Sequence, residues 1–318
     1  MVTYLINRVV QALFVVIIVS LLVFFSLRLM PGDPILMYLS SNEMTESTPE
    51  EIAAIRHEFG LDQPIFVQYV RWLGKVVTGD FGMSIIQRSS VSAEIARRLP
   101  ITLYLGFFSL ITMLLVGVPF GVISAVRRGK WVDTVATLFA NFGITVPIFW
   151  LGILLIYFIG LKLKWLPIFG YTSPFKDFGM NLQQIIMPVL CLSIFGTAAI
   201  ARQSRSSMLD VIHQDYIRTA WSKGLREGVI IRRHALKNGL IPVITLLGLV
   251  VRNLIGGSVI VETLFNIPGI GRFAVTGLLT QDYAVVEGVI LVISLVITSI
   301  NLLVDISYGW IDPRIRLK

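Results

Sequence analysis

Apolar residues dominate six long stretches of the chain, approximately 9–30, 101–126, 134–161, 185–201, 240–261 and 284–304. About 20 apolar residues in a helix cross the ~30 Å hydrocarbon core of a bilayer, so the pattern predicts an all-α, polytopic membrane protein with six transmembrane helices. Between the first two stretches the periodicity changes. Thr48-Pro49-Glu50-Glu51 has the form of a capping box with proline at the first helical position. Ile52, Ile55 and Phe59 then share one face, and Gly60 supplies a stop. A second amphipathic helix over 65–77 turns Tyr69, Trp72 and Leu73 to the same side. This outer loop is either a helical cap on the bilayer interface or a docking platform for an external protein. Pro147, and by the same argument Pro119, are expected to kink their spans by removing a backbone donor. Between the fourth and fifth spans lies a stretch, 215–242, too polar for hydrocarbon and too patterned for a slack linker.

Composition agrees with the pattern. Hydrophobic residues make up 55% of the 318, charged residues only 14%, and mean hydropathy is +0.80, against about 25% charge in soluble domains. The net charge of +8 does not indicate nucleic acid, because the basic residues are divided among the segments between spans instead of forming one face of a soluble fold. They orient the chain instead. Fifteen Lys and Arg fall on the side of the termini and ten on the other, six of the ten in the long first loop, where charge counts least. Both termini and the 215–242 stretch are therefore expected in the cytoplasm. The first span follows Arg8, is long for a signal peptide and lacks a small-x-small cleavage site, so it is expected to be retained. The expected divisions are 1–30 for the N-terminus and first helix, 31–99 for the extracytoplasmic helical loop, and 100–318 for a five-helix core with a cytoplasmic loop at 202–239.

Candidate chemistry is sparse. Cys191 is the single cysteine, the three histidines His57, His213 and His234 are scattered outside the spans, and no metal-ligand or Ser-His-Asp grouping can be argued. No catalytic residue and no metal site are expected. Charges at membrane depth default to function. Arg28, Glu287 and Asp305 lie near span ends and can reach the interface as anchors. Arg252 lies about twelve residues into its span, roughly 18 Å deep at 1.5 Å per residue. It is expected either to line a translocation path with Asn253, Gly256 and Gly257, attracting anionic groups, or to make a structural ion pair. The following Gly256-Gly257-Ser258 permits close helix approach.

Within 215–242, Asp215 is a good N-cap, and Ile217, Ala220, Trp221 and Gly224 follow at helical spacing beside Arg218 and Lys223. Such a helix suits the groove of a soluble partner, or an interface of anionic lipid. These residues resemble those of a known family, the permease subunits of ABC importers in the dipeptide, oligopeptide and nickel group. Asp215-Tyr216-Ile217-Arg218-Thr219-Ala220, Lys223-Gly224 and His234-Ala235-Leu236-Lys237-Asn238 before Ile241-Pro242 look like that group's version of the permease EAA loop. Further segments resemble the family in the family's order: Pro31-Gly32-Asp33-Pro34, Leu61-Asp62-Gln63-Pro64, Gly79-Asp80-Phe81-Gly82 with Ser84, Arg205-Ser206-Ser207-Met208, Pro268-Gly269 with Gly271-Arg272, and Asp312-Pro313-Arg314-Ile315-Arg316. The long first loop is similar to that of the B-type member of the pair. The resemblance departs from the broad permease pattern in having Arg218-Thr219-Ala220 at the place of Glu-Ala-Ala, as the peptide and nickel group does, and in Arg252, where a small or neutral polar residue is expected.

The resemblance implies a non-enzymatic subunit in a bacterial inner membrane that pairs with a homologous permease, two cytoplasmic ATPases and an extracytoplasmic substrate-binding protein, within membrane lipid. Asp215, Tyr216, Ile217, Arg218, Thr219, Ala220, Trp221, Lys223 and Gly224 would form the coupling helix in an ATPase cleft. The chain has no G-x-x-x-x-G-K-[ST] phosphate loop, so ATP and Mg2+ would belong to partner subunits and no cofactor to this one. Di- or oligopeptides are the expected cargo, with nickel, a metal chelate or glutathione as alternatives. An ATP-independent secondary transporter is the remaining class, but it would usually place several ionisable residues inside its spans.

Overall fold

The computed structural model describes the backbone of residues 2–30, 35, 39 and 48–311, and side chains from residue 6 to residue 304 of these. The Pro31–Pro34 and Asp312–Arg316 motifs and the Asp305 side chain lie outside the described residues. The regular structure among the described residues is helical, and the one β contact is an isolated bridge between Met83 and Ser90. Five helices are long and apolar enough to span a membrane, and a bent pair, counted as one broken span, brings the number to six. The chain divides into two compact units, residues 1–102 with 268–302 and residues 103–267 with 303–318.

The first unit contains α1 (Val2–Leu29), α2 (Pro49–Glu58), α3 (Ile65–Val77), the start of α4 (Val91–Val126), α10 (Ile270–Leu279) and most of α11 (Tyr283–Ile311). The capping box forms as expected: Glu51 N donates to Thr48 Oγ1 at 3.3 Å and Thr48 N to Glu51 Oε2 at 2.9 Å. Gly60 follows in the left-handed region, φ 65°. Ile52, Ile55 and Phe59 pack against a small core of Ile35, Leu39 and Ile85. Helix α3 lies on α1. Tyr69 and Trp72 meet the Phe24 ring at 5.1 and 5.6 Å between centroids, and the Tyr69 hydroxyl is 2.9 Å from Ser20 Oγ. The aromatic face expected to seek the bilayer interface thus covers the first span, while Phe66, Val70 and Val77 remain exposed.

Arg28 and Glu287 depart from the expectation that they would reach out as separate anchors. They pair with each other, Glu287 being only 3% exposed, and Arg28 Nε also donates to Gln68 Oε1 at 3.0 Å. Burying either charge alone would cost several kcal/mol, so each is retained by the other. Ser84 Oγ donates to Asp282 Oδ2 at 2.6 Å, Ile86 N donates to the same oxygen at 3.2 Å, and Gly82 N donates to Asp80 Oδ1 at 2.9 Å. The Gly79–Ser84 motif is therefore a loop fastened to the start of α11. Beneath it sits an apolar core of Val91, Ile95, Ile270, Phe273, Val285 and Val289.

The second unit contains the rest of α4, α5 (Trp131–Thr145), α6 (Ile148–Leu155, continued as a π-helix over Ile156–Lys162), α7 (Phe178–Ile212), α8 (Asp215–Ser222) and α9 (Ile241–Leu264). The proline expectations divide. At Pro147 the span breaks outright, with Val146 extended (φ −71°, ψ 125°) and 106° between the two halves; the ring forces the preceding residue out of the helical region. At Pro119, by contrast, α4 continues uninterrupted for 36 residues. One lost donor is tolerated inside a long membrane helix. Helix α7 runs on well past its apolar stretch, and α4 approaches it closely. A Cβ added at Gly117 would fall 2.8 Å from the Thr197 carbonyl oxygen, and one at Gly121 would collide with the backbone at Ala201.

Candidate coupling helix and path

Helix α8 starts one residue earlier than a cap at Asp215 would give. Gln214 is the N-cap, without a side-chain bond, and Asp215 is the first helical residue, where its charge still complements the helix dipole. Thr219 Oγ1 donates to the Asp215 carbonyl at 3.0 Å, and Arg218 reaches the Asp215 carboxylate at 3.7 Å on the exposed surface. The helix closes at Gly224, φ 72°, whose N–H donates to Trp221 O at 2.9 Å. Nothing lies within 4 Å of a Cβ there, so glycine is required by the backbone angle alone.

The expected apolar stripe divides into two. Ile217 and Ala220, 1% and 6% exposed, enter a core with Ala125 of α4, Met208 of α7, Ile230 and Ala235. Trp221, one residue or about 100° further round, faces out with Tyr216, Arg218, Thr219 and Lys223. The Tyr216 hydroxyl accepts from Asn238 Nδ2 at 2.9 Å, which ties α8 to the basic segment ahead of α9. The result is a short helix seated on its own chain by two residues, with an aromatic and basic face left outward.

The four residues expected on a path come together. Arg252, Asn253, Gly256 and Gly257 all line one cavity of about 430 Å3, with apolar walls that include Met113, Phe195, Val250 and Leu254. Arg252, Asn253 and Gly256 are exposed. A Cβ at Gly257 would meet Ile148 at 3.3 Å, whereas one at Gly256 meets nothing, so the small-residue pair admits α6 on one side and keeps the cavity open on the other.

One cluster went unread in the sequence. Arg205 donates to both carboxylate oxygens of Asp133, Nε at 2.7 Å and Nη2 at 2.9 Å, and Ser124 Oγ and Gly129 N donate to the same carboxylate at 2.6 and 2.9 Å. Asp133 is the node joining α4, α5 and α7, and its partner Arg205 stands three residues before Met208, which is buried beneath α8. Arg205 at the head of the Arg205–Met208 motif was the signal that could have found it. Outside the spans, burial raises the Tyr171 hydroxyl above its usual range, and the hydrogen bond from His57 at 2.7 Å holds the Asp62 carboxyl below its own.

The profile of the binding-protein-dependent transport system inner membrane component family matches residues 117–317, and the profile of the N-terminal part of such membrane components matches residues 1–106. This chain belongs to that family. The permease is similar along its whole length to a probable peptide ABC transporter permease protein, y4tP, of Sinorhizobium fredii, 40% identical over 98% of this chain and 99% of the relative. It is 39% identical, over the full length of both chains, to the glutathione transport system permease protein GsiC of Salmonella paratyphi A. Among solved structures, the MetNI methionine ABC transporter in an inward-facing conformation shares its fold, with a TM-score of 0.53 and 18% identity over 69% of the permease and 96% of that chain. The permease is thus a multi-pass inner-membrane subunit of an ABC importer.

Proposed function

We propose that this permease forms half of the translocation path for di- or oligopeptides and couples it to a cytoplasmic ATPase through α8. The carrying observation is the two-sided helix: Ile217 and Ala220 seat it on α4 and α7, and Tyr216, Thr219, Trp221 and Lys223 are exposed. Burying Ile217 contributes about 1.5–3 kcal/mol, so a force on the outer face is passed to the spans rather than dissipated by a loose segment. The partners in this reading are a homologous second permease, two ATPases carrying ATP and Mg2+, and an extracytoplasmic binding protein, with α8 and both termini in the cytoplasm. The 15-to-10 distribution of Lys and Arg supports that orientation.

For cargo, the relatives include a probable peptide permease and a glutathione permease. A peptide, glutathione included, carries a carboxylate and a hydrogen-bonding backbone, and the cavity presents Arg252 and Asn253 among apolar walls. Arg252 offers a guanidinium that matches a carboxylate in a paired fork.

The test is uptake of labelled peptide into vesicles bearing the assembled importer. Import should require ATP, the binding protein and both ATPases. Uptake by this permease in vesicles without any ATPase subunit would refute the coupling reading. A binding protein that copurifies with the complex and carries a free metal ion would refute the peptide cargo.

A further inference from the structure

The second unit holds a cleft that neither the path nor the coupling helix uses. It has a volume of about 220 Å3 between α4, α5 and α7, and its polar lining comes from Arg202, Arg205, Asn141, Thr137, Ser124 and Ser206. Its floor is closed by small residues, Gly121, Ala136, Ala140 and Ala201, and Phe120 stands at its edge, 39% exposed and 5.6 Å from the Phe139 ring.

The two arginines, one turn apart on α7, are not equivalent. Arg205 is neutralised and fixed in place by Asp133. Arg202 donates to the neutral amide oxygen of Asn141 at 2.9 Å, and no carboxylate pairs with it among the described residues. The turn that carries Arg127, Arg128 and Lys130 is pinned beside Asp133 through the Gly129 N–H, and these three cations are exposed and make no ion pair among the described residues. The cleft therefore offers one uncompensated guanidinium, hydroxyl and amide groups and an apolar edge, and the cations of the 127–130 turn lie outside its lining. The groups of the cleft are complementary to a phosphate group with a hydrocarbon tail attached. Basic pockets between membrane helices on the cytoplasmic side recognise anionic headgroups in this way, and a guanidinium pairs with phosphate oxygens more specifically than a point charge does.

We propose that the cleft at Arg202 is a binding site for a phosphate group, supplied by an anionic phospholipid of the surrounding leaflet. Arg202 contacts the phosphate, Arg205 is a positioning residue that keeps α5 and α7 apart at the right width, and the Phe120–Phe139 edge takes the upper part of an acyl chain.

The experiment uses the assembled importer in nanodiscs of phosphatidylcholine containing 20%, about one lipid in five, phosphatidylglycerol. Lipids retained on the complex are counted by native mass spectrometry after release. The intact complex is expected to retain phosphatidylglycerol over phosphatidylcholine. Arg202→Gln should lower that retention at least fivefold, Arg202→Lys should lower it less, and Arg128→Gln, which removes equal charge from the neighbouring turn outside the cleft, should leave most of it. Inorganic phosphate at millimolar concentration should not displace the lipid. Displacement by inorganic phosphate alone would overturn the lipid as the source. Equal losses in Arg202→Gln and Arg128→Gln would overturn the site in favour of a diffuse surface field, and unchanged retention in Arg202→Gln would overturn it entirely. Thermal stability of each variant complex separates a lost lipid from a lost fold. None of these outcomes depends on the cargo or on ATP coupling.

Discussion

At the scale of single residues, α8 is governed by which side chains turn inward. Ile217→Ala removes fully buried volume next to Met208 and should cost about 2–5 kcal/mol locally, read as loss of coupled import with the complex still assembled and as faster hydrogen exchange over α8. Ala220→Asp places a charge in the same core and should detach the helix rather than merely alter its outer face. Gly224→Val adopts a left-handed angle that a β-branched residue resists, so ATP hydrolysis should continue while import falls. Coupled import at the parental rate in Gly224→Val would contradict the role given to this turn. For the path, Arg252→Met should lower import of peptides with a free C-terminal carboxylate more than import of their amides, measured with both in the same vesicles. Equal losses would favour a structural ion pair at Arg252. The existence of a helix here, its glycine stop and the grouping of Arg252 with Asn253, Gly256 and Gly257 were legible in the sequence. The split between Ile217 and Trp221 was not, because a stripe of apolar positions gives the width of a face but not how much of it a neighbouring core covers.

At the scale of elements, local rules were read more easily than long-range pairings. The capping box at Thr48 and the break at Pro147 depend on residues three or fewer positions apart, and both formed. Arg28 with Glu287 and Asp133 with Arg205 are 259 and 72 residues apart, and nothing in periodicity or spacing joins such partners. Their effects should be unequal to those of the exposed pairs. Removing one partner of the buried pair, as in Glu287→Leu, should destabilise the first unit by about 3–5 kcal/mol, measured as loss of folded complex in a thermal melt; Arg28→Met combined with Glu287→Leu should recover part of the loss. The His57–Asp62 contact sits at the surface, and its pH dependence has a defined direction. Because the Asp62 carboxyl is held below its ordinary value of 3.8, the stabilisation is fully present above about pH 3.8 and is lost as pH falls through the lower folded value. Protease nicking near Gly60 should therefore be flat from neutral pH down to that range and be no greater in Asp62→Asn at neutral pH than a small surface effect allows.

At the scale of the whole molecule, a polytopic membrane fold and a family assignment follow from hydropathy and ordered motifs, and the long-range pairings that went unread occur where buried polar groups meet. A membrane protein must satisfy each such group internally, so these meetings are where the fold is decided: the Asp282 fastening of the Gly79–Ser84 loop, the Arg28–Glu287 pair and the Asp133 node. Helix α8 is not a free appendage either, but what holds it is apolar burial of Ile217 and Ala220. On the proposed coupling, its inner side belongs to the permease and its outer side to the ATPase, and the two would vary independently. Exchanging only Tyr216, Thr219, Trp221 and Lys223 for the corresponding residues of another importer's permease should leave the membrane fold as it is and change which motor the complex recruits. The helix behaves in that sense as an adaptor with a fixed shank and an exchangeable bit, and compatibility between importers and their motors would be written in four surface positions.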